Sequence, residues 1–182
     1  MAPKPLLSRP GDLALVGFFL FALFFALGMD ILNPLAGAPG FISEERLSTM
    51  LWPPLPMRQL FSWWTANADL VLVDNPFWYQ IICAYSPLIY APFYVVATYA
   101  FMYERNWIRI PAVIWSGMML GALPPVFLQE LVGYTMAGEH QDHASQTPMG
   151  KAMFLAGYGG FLIVPVVVIA RMWAGEPFPK RA

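Results

Sequence analysis

The sequence predicts an all-α integral membrane protein, a bundle of four transmembrane helices, and three observations carry that prediction. Of the 182 residues, 58% are hydrophobic and 12% charged, with a mean hydropathy of +0.55, against roughly 25% charged residues in a soluble domain. Four apolar runs, Leu13–Leu32, Phe77–Tyr103, Ile110–Val132 and Ala152–Trp173, each reach the about 20 helical residues that cross a bilayer. Three of them carry internal prolines, Pro87 and Pro92, Pro124 and Pro125, and Pro165, so kinked membrane helices are expected, each proline removing a backbone donor and crowding the turn before it.

The first run follows Lys4 and Arg9, as the core of a signal peptide would. Its length, and the Met29-Asp30-Ile31-Leu32-Asn33-Pro34 that succeeds it in place of a small-residue cleavage site, predict a retained span. The first connection, Asn33 to Pro76, is too long and too apolar for a structureless loop. Its Ser43-Glu44-Glu45 reads as a helix N-cap followed by acids in the first turn. After the Trp52-Pro53-Pro54 break, Pro56 to about Ala66 is expected to form a short helix. Leu60, Phe61, Trp63 and Trp64 suit it to the membrane interface, capping the extracytoplasmic mouth of the bundle. Bends in the later spans would open a gap between helices at membrane depth, where freed carbonyls need protein, ligand or water partners.

Basic residues give the orientation. The N-terminus, second connection and C-terminus hold Lys4, Arg9, Arg105, Arg109, Arg171, Lys180 and Arg181, while the other side holds Arg46, Arg58 and Lys151. This asymmetry predicts both termini in the cytoplasm, in a bacterial inner membrane or the endoplasmic reticulum membrane. The net charge of -1 and the scattered basic residues give no sign of a nucleic-acid partner. The single cysteine, Cys83, excludes an intrachain disulfide and reads as a small apolar side chain. Without repeats or low-complexity tracts, residues 1–182 are expected to form one four-helix membrane domain.

Asp30 is the first candidate for chemistry. A carboxylate near the end of a lipid-spanning helix is costly unless paired, solvated or neutral. Two readings stay open: an interfacial group facing water beside Asn33, or a group turned inward to hold a cation or a polar head in an aromatic-walled pocket. Tyr85, Tyr90, Tyr94, Tyr99, Trp115, Tyr134 and Tyr158 lie in or near the spans, and their rings can stack on a rigid polycyclic ligand or face an ammonium group. Glu139-His140-Gln141-Asp142-His143 holds both histidines. It lacks a third ligand at a convincing spacing and reads as a solvated loop, so no metal and no cofactor are expected. The nucleophile elbow, phosphate-binding loop and dinucleotide fingerprint are missing, and no catalytic residue is assigned.

Several blocks resemble a known family. They are Pro92-Phe93-Tyr94 with Ala97-Thr98-Tyr99-Ala100-Phe101, then Trp107-Ile108-Arg109-Ile110-Pro111-Ala112-Val113-Ile114-Trp115-Ser116, then Tyr158-Gly159-Gly160-Phe161-Leu162-Ile163-Val164-Pro165. Met29-Asp30 in the first span, and Asp69 nine residues before Trp78, extend the match. Together these are similar to the EXPERA family, on its sigma-2 receptor side rather than that of its sterol isomerases. The resemblance implies a four-helix membrane fold with a cavity reached from the bilayer, in which Asp30 pairs with the amine of cationic amphiphiles and Asp69 is a second polar participant. Ser86 stands where that side of the family has a glutamate supporting the first-span aspartate. The intramembrane histidine and glutamate of the isomerases have no counterpart. The expected function is therefore binding of sterol-like or other apolar or cationic amphiphilic lipids, with Asp30, Asp69, Ser86, Tyr85, Tyr99, Trp115 and Tyr158 as ligand-binding residues. Two alternatives stay open: an accessory structural subunit of a larger membrane complex, and a lipid isomerase or cyclase using Asp30 with Asp69 or Glu130. The expected partners are a membrane lipid and either a second copy or the subunits of such a complex.

Overall fold

The computed structural model describes residues 4–36, 49–133, 143–173 and 175–178. Ser43-Glu44-Glu45, Tyr134 and Glu139 to Asp142 lie outside them. No strand occurs among the described residues, and four helices are long and apolar enough to span a membrane: Pro10–Leu35, Phe77–Met102, Asn106–Val132 and Pro148–Trp173.

Helix α1 (Pro10–Phe25) opens on a proline, whose missing N–H would have no partner in the first turn anyway. It runs into a π-helical turn, Ala26–Asp30, and then α2 (Leu32–Ala36). The helix expected from Pro56 to about Ala66 is α3 (Leu55–Asn67). Helix α4 (Leu70–Asp74) is capped by Asp69, whose Oδ1 accepts from the Leu72 N–H at 2.9 Å, and stops at Asn75, which turns left-handed at φ 40. The second span consists of α5 (Phe77–Tyr85), a second π turn (Ser86–Tyr90) holding Pro87, and α6 (Ala91–Met102). Helix α7 (Arg109–Val132) continues through Pro124 and Pro125, and α8 (Pro148–Trp173) through Pro165.

The first span packs along the second, and the third along the fourth. Their shared interior falls into two apolar clusters. In one, the buried Phe19 ring lies 5.6–6.2 Å from Phe93, Tyr94, Phe101 and Trp115. In the other, Phe61, Val71 and Leu72 from the first connection pack on Met29, Tyr79 and Phe154. Large apolar side chains such as Leu20, Phe24, Ile114, Leu128 and Val166 stay exposed on the outside, an arrangement that hydrocarbon, not water, tolerates.

The end near Arg9 is closed by charge. Arg9 Nη1 donates to Asp12 Oδ2 at 2.7 Å and to the Phe101 carbonyl at 2.8 Å, and Nη2 donates to the Met102 carbonyl at 2.9 Å. Arg171 Nη2 stands 2.5 Å from Asp12 Oδ1, with its guanidinium 5.7 and 5.4 Å from the Phe101 and Phe178 ring centroids. Asn106 clasps the Phe178 backbone through two 2.9 Å hydrogen bonds, donating to its carbonyl and accepting from its N–H.

At the opposite end, Glu130 is a latch. Its Oε2 accepts from the Leu70 N–H at 2.6 Å, and Gln146 Nε2 donates to its backbone carbonyl at 2.9 Å, joining α7 to the start of α4 and to the 3₁₀ turn Ala144–Gln146. His143, which caps that turn, is half-buried rather than a fully solvated loop residue. Its Nδ1 accepts from the Ser145 N–H at 3.1 Å, and burial pushes its pKa below the ordinary 6.5.

Candidate functional site

The two π turns lie in different spans and touch one another. A π turn adds a residue to the helical circuit and shifts the side chains that follow it, a device found often at functional sites. Here Asp30 ends the first turn and Ser86 begins the second, with the Ser86 hydroxyl close enough to act on the Asp30 carboxylate as a donor. Both residues line a cavity of about 210 Å³ where the two apolar clusters meet. That is more than ten times the about 10–15 Å³ that one water needs on the same measure.

The walls are aromatic. The first span contributes Phe21 and Phe25, α3 contributes Phe61, Trp63 and Trp64, the second span Tyr79, Tyr90 and Tyr94, and α8 Tyr158 and Phe161. Gly157 lets Trp64 lie against α8, since a Cβ there would stand 2.6 and 2.8 Å from the indole. Asp30 has no ion pair among the described residues, whose ion pairs all belong to the Arg9 end.

Behind the wall runs a directed chain of hydrogen bonds. The Tyr158 hydroxyl donates to Asp69 Oδ2 at 2.7 Å, so the Tyr79 hydroxyl, 3.2 Å from that of Tyr158, is left to donate to it. Burial lifts the Asp69 pKa above its ordinary 3.8, and hydrogen bonds from Tyr158, the Leu72 N–H and Trp64 oppose the rise only in part. The unit orients Tyr158, and with it one face of the cavity.

Of the seven residues expected from the sequence to bind ligand, Asp30, Ser86 and Tyr158 line this cavity, and Asp69 sits directly behind Tyr158. Three do not reach it. Trp115 is consumed by the aromatic core, stacked on Phe93 at 5.0 Å. Tyr99 pairs with Tyr103 on the outer surface at 4.8 Å and is 48% exposed. Tyr85 points outward, edge-on to Tyr90. For Tyr85 and Tyr99 the reason is helical phase: the inward stripe of the second span runs through Tyr79, Cys83, Ser86, Tyr90 and Tyr94.

Sequence reasoning passed over Tyr79, whose position near the start of an apolar run gives its hydroxyl no obvious need of a partner. It also passed over Asp12, which lies just before the run. Glu130, a candidate acid by sequence, is occupied by backbone amides and does not line the cavity. No group of three or more potential metal ligands occurs among the described residues.

Fold and cavity together define a class: a four-span membrane protein whose helices enclose an aromatic pocket with one carboxylate on its wall. Residues 56–172 match the family model described as EXPERA (EXPanded EBP superfamily), and the chain belongs to that family. It is similar to sigma intracellular receptor 2 of Macaca fascicularis and of Homo sapiens, each 27% identical over 124 residues, or 65% of this chain and 69% of the relative. The Xenopus tropicalis protein of the same name is also 27% identical, with 70% of its length covered. The family match begins after the first span, so the Asp30 turn lies outside it.

Proposed function

We propose that this chain is a membrane-embedded binding protein for sterol-like or other apolar and cationic amphiphilic lipids. The aromatic walls hold the body of the ligand, and Asp30 and Ser86 hold its polar or cationic end. The observation that carries the reading is the Asp30–Ser86 pair on facing π turns, open to an aromatic cavity and without a neutralising cation among the described residues. A hydroxyl donor stabilises the carboxylate but leaves its charge uncancelled. In surroundings of low dielectric a ligand ammonium offers the missing charge, and a ligand hydroxyl offers a further hydrogen bond. Asp69 contributes by fixing Tyr158. Membership of a family that includes proteins similar to sigma intracellular receptor 2 supports ligand reception, and the distribution of basic residues supports cytoplasmic termini.

The test is equilibrium binding of a labelled sterol and a labelled cationic amphiphile to the detergent-solubilised protein and to Asp30→Asn. The expected result is saturable binding of both probes to the wild type, and at least about a tenfold loss for the cationic one in the variant. Equal affinity in both proteins removes Asp30 from the site. If neither probe binds the wild type, the lipid-binding reading fails.

A further inference from the structure

Asn33 stands one turn beyond Asp30 and lines the same cavity. Residues three apart share a helix face, about 5–6 Å between their Cβ atoms, so the carboxylate and the amide form one polar edge on an otherwise aromatic wall. Asn33 is 1% exposed, and neither its Nδ2 nor its Oδ1 has a hydrogen-bond partner among the described residues. A buried amide left without partners is costly, because both its donor and its acceptor have lost water. Its backbone, by contrast, is tied down. Asn75 Nδ2 donates to the Asn33 carbonyl at 3.4 Å, and Gln80 Nε2 donates to the Asn75 carbonyl at 2.9 Å, fastening the end of the first span to the start of the second. The polar atoms of Asn33 are therefore positioned, buried and unused.

We infer that Asn33 is a second polar anchor of the cavity and that it makes the site selective for a neutral, hydroxyl-bearing lipid over a cationic amine. This inference rests on the lipid-binding reading above and refines it. Asp30 only accepts hydrogen bonds when ionised, and an ammonium would suit it alone. An amide presents a donor and an acceptor side by side. A ligand hydroxyl matches both, accepting from Nδ2 while donating to Oδ1 or to Asp30. An ammonium has no lone pair to offer and leaves the Nδ2 hydrogens buried without a partner. A methyl ether accepts from Nδ2 but donates nothing to either acceptor.

Three labelled probes separate these cases: cholesterol, its 3-methyl ether and its 3-amino analogue, each titrated into the full-length protein in detergent. The wild type is expected to bind cholesterol about tenfold more tightly than either analogue. Asn33→Leu, which keeps the volume and loses both polar atoms, is expected to bring cholesterol and the amine to within about twofold, since hydroxyl and ammonium can each still donate to Asp30. Asn33→Asp, which keeps the shape and replaces the donor with a second acceptor, is expected to turn the preference toward the amine. A wild type that prefers the amine or binds all three equally overturns the inference while leaving lipid binding standing. An Asn33→Leu protein that folds, by an unchanged melting temperature, and keeps the wild-type ratios also overturns it. If both variants fail to fold, the wild-type ratios alone decide. Binding of none of the probes removes the lipid-binding reading and this inference together.

Discussion

Asp12 and Asp30 stand on the same span at opposite ends of the bundle, and the protein treats them in opposite ways. Asp12 meets two guanidinium groups, at 2.7 and 2.5 Å, and Arg9 also donates to two backbone carbonyls while Arg171 lies over two aromatic rings. Asp30 meets one hydroxyl, faces a cavity, and has beside it an amide with no partner among the described residues. Two charges removed from water recover their desolvation cost only when geometry and extra hydrogen bonds are good. The Arg9 end meets that condition and works as a staple. The Asp30 end does not, and unspent polar capacity beside a cavity is what a ligand site requires.

The sharpest way to break this contrast is to remove each carboxylate in turn. Asp12→Ala takes from Arg9 and Arg171 the carboxylate they share, and breaking a buried pair costs about 3–5 kcal/mol. Because the Arg171 side chain is 32% exposed, the expected loss is smaller, about 2–3 kcal/mol, read as a lower melting temperature in detergent. Asp30→Asn is expected to leave stability unchanged or to raise it, since it removes a buried carboxylate that no cation neutralises. Its effect falls on binding of a cationic amphiphile, weakened by about tenfold or more. Should Asp30→Asn destabilise the protein as much as Asp12→Ala does, the distinction between staple and site disappears.

Gly157 sharpens the contrast from the side of the wall. An alanine methyl there would meet the Trp64 ring at 2.6 and 2.8 Å, and the indole would have to move. Overpacking of this kind costs typically about 1–3 kcal/mol, and ligand affinity is expected to fall with it. Gly159→Ala is the control, since its Cβ would meet nothing within 4 Å. Equal binding losses in the two variants would mean that Trp64 does not shape the site.

Hydropathy made the spans legible, and the breaks at Trp52-Pro53-Pro54 and Pro76 made α3 and α5 legible. The ends were less so, because charged residues look like boundaries in a sequence. Helix α1 begins at Pro10 with Asp12 buried in its first turn, and α8 begins at Pro148 with Lys151 reaching the Leu131 carbonyl at 2.9 Å. In both cases the charge is absorbed by a partner rather than excluded from the helix. The site was half legible. Asp30 stands out by residue type and Ser86 only through the family resemblance, whereas the choice among tyrosines depends on phase. The second span is apolar on all sides, so nothing local marks Tyr79, Tyr90 and Tyr94 as inward over Tyr85 and Tyr99. Asn33 beside Pro34 reads as a solvated helix end until Asn75 and Gln80 are seen to hold it inside.

The smallest expected effect is a dependence of stability on pH set by Asp69. Burial raises its carboxyl pKa above 3.8, so between 3.8 and the raised value the folded protein holds a proton that the unfolded chain has released. Stability therefore falls as pH rises through that window and is fully present below it. The slope is less than about 1.4 kcal/mol per pH unit, the limit for one proton. Asp30, Glu130, Tyr79 and Tyr158 all act electrostatically on the same site or feel it, so the wild-type curve alone cannot be assigned to Asp69. Asp69→Asn isolates its share. Asparagine still caps α4 by accepting from the Leu72 N–H, and the four neighbours remain in both proteins. Melting temperature recorded from about pH 4 upward is expected to decline more steeply in the wild type than in Asp69→Asn. Parallel curves would mean that the carboxyl behind Tyr158 does not change its proton affinity on folding. The Tyr79–Tyr158–Asp69 chain would then be part of the packing, like the Arg9 end, and not part of the site.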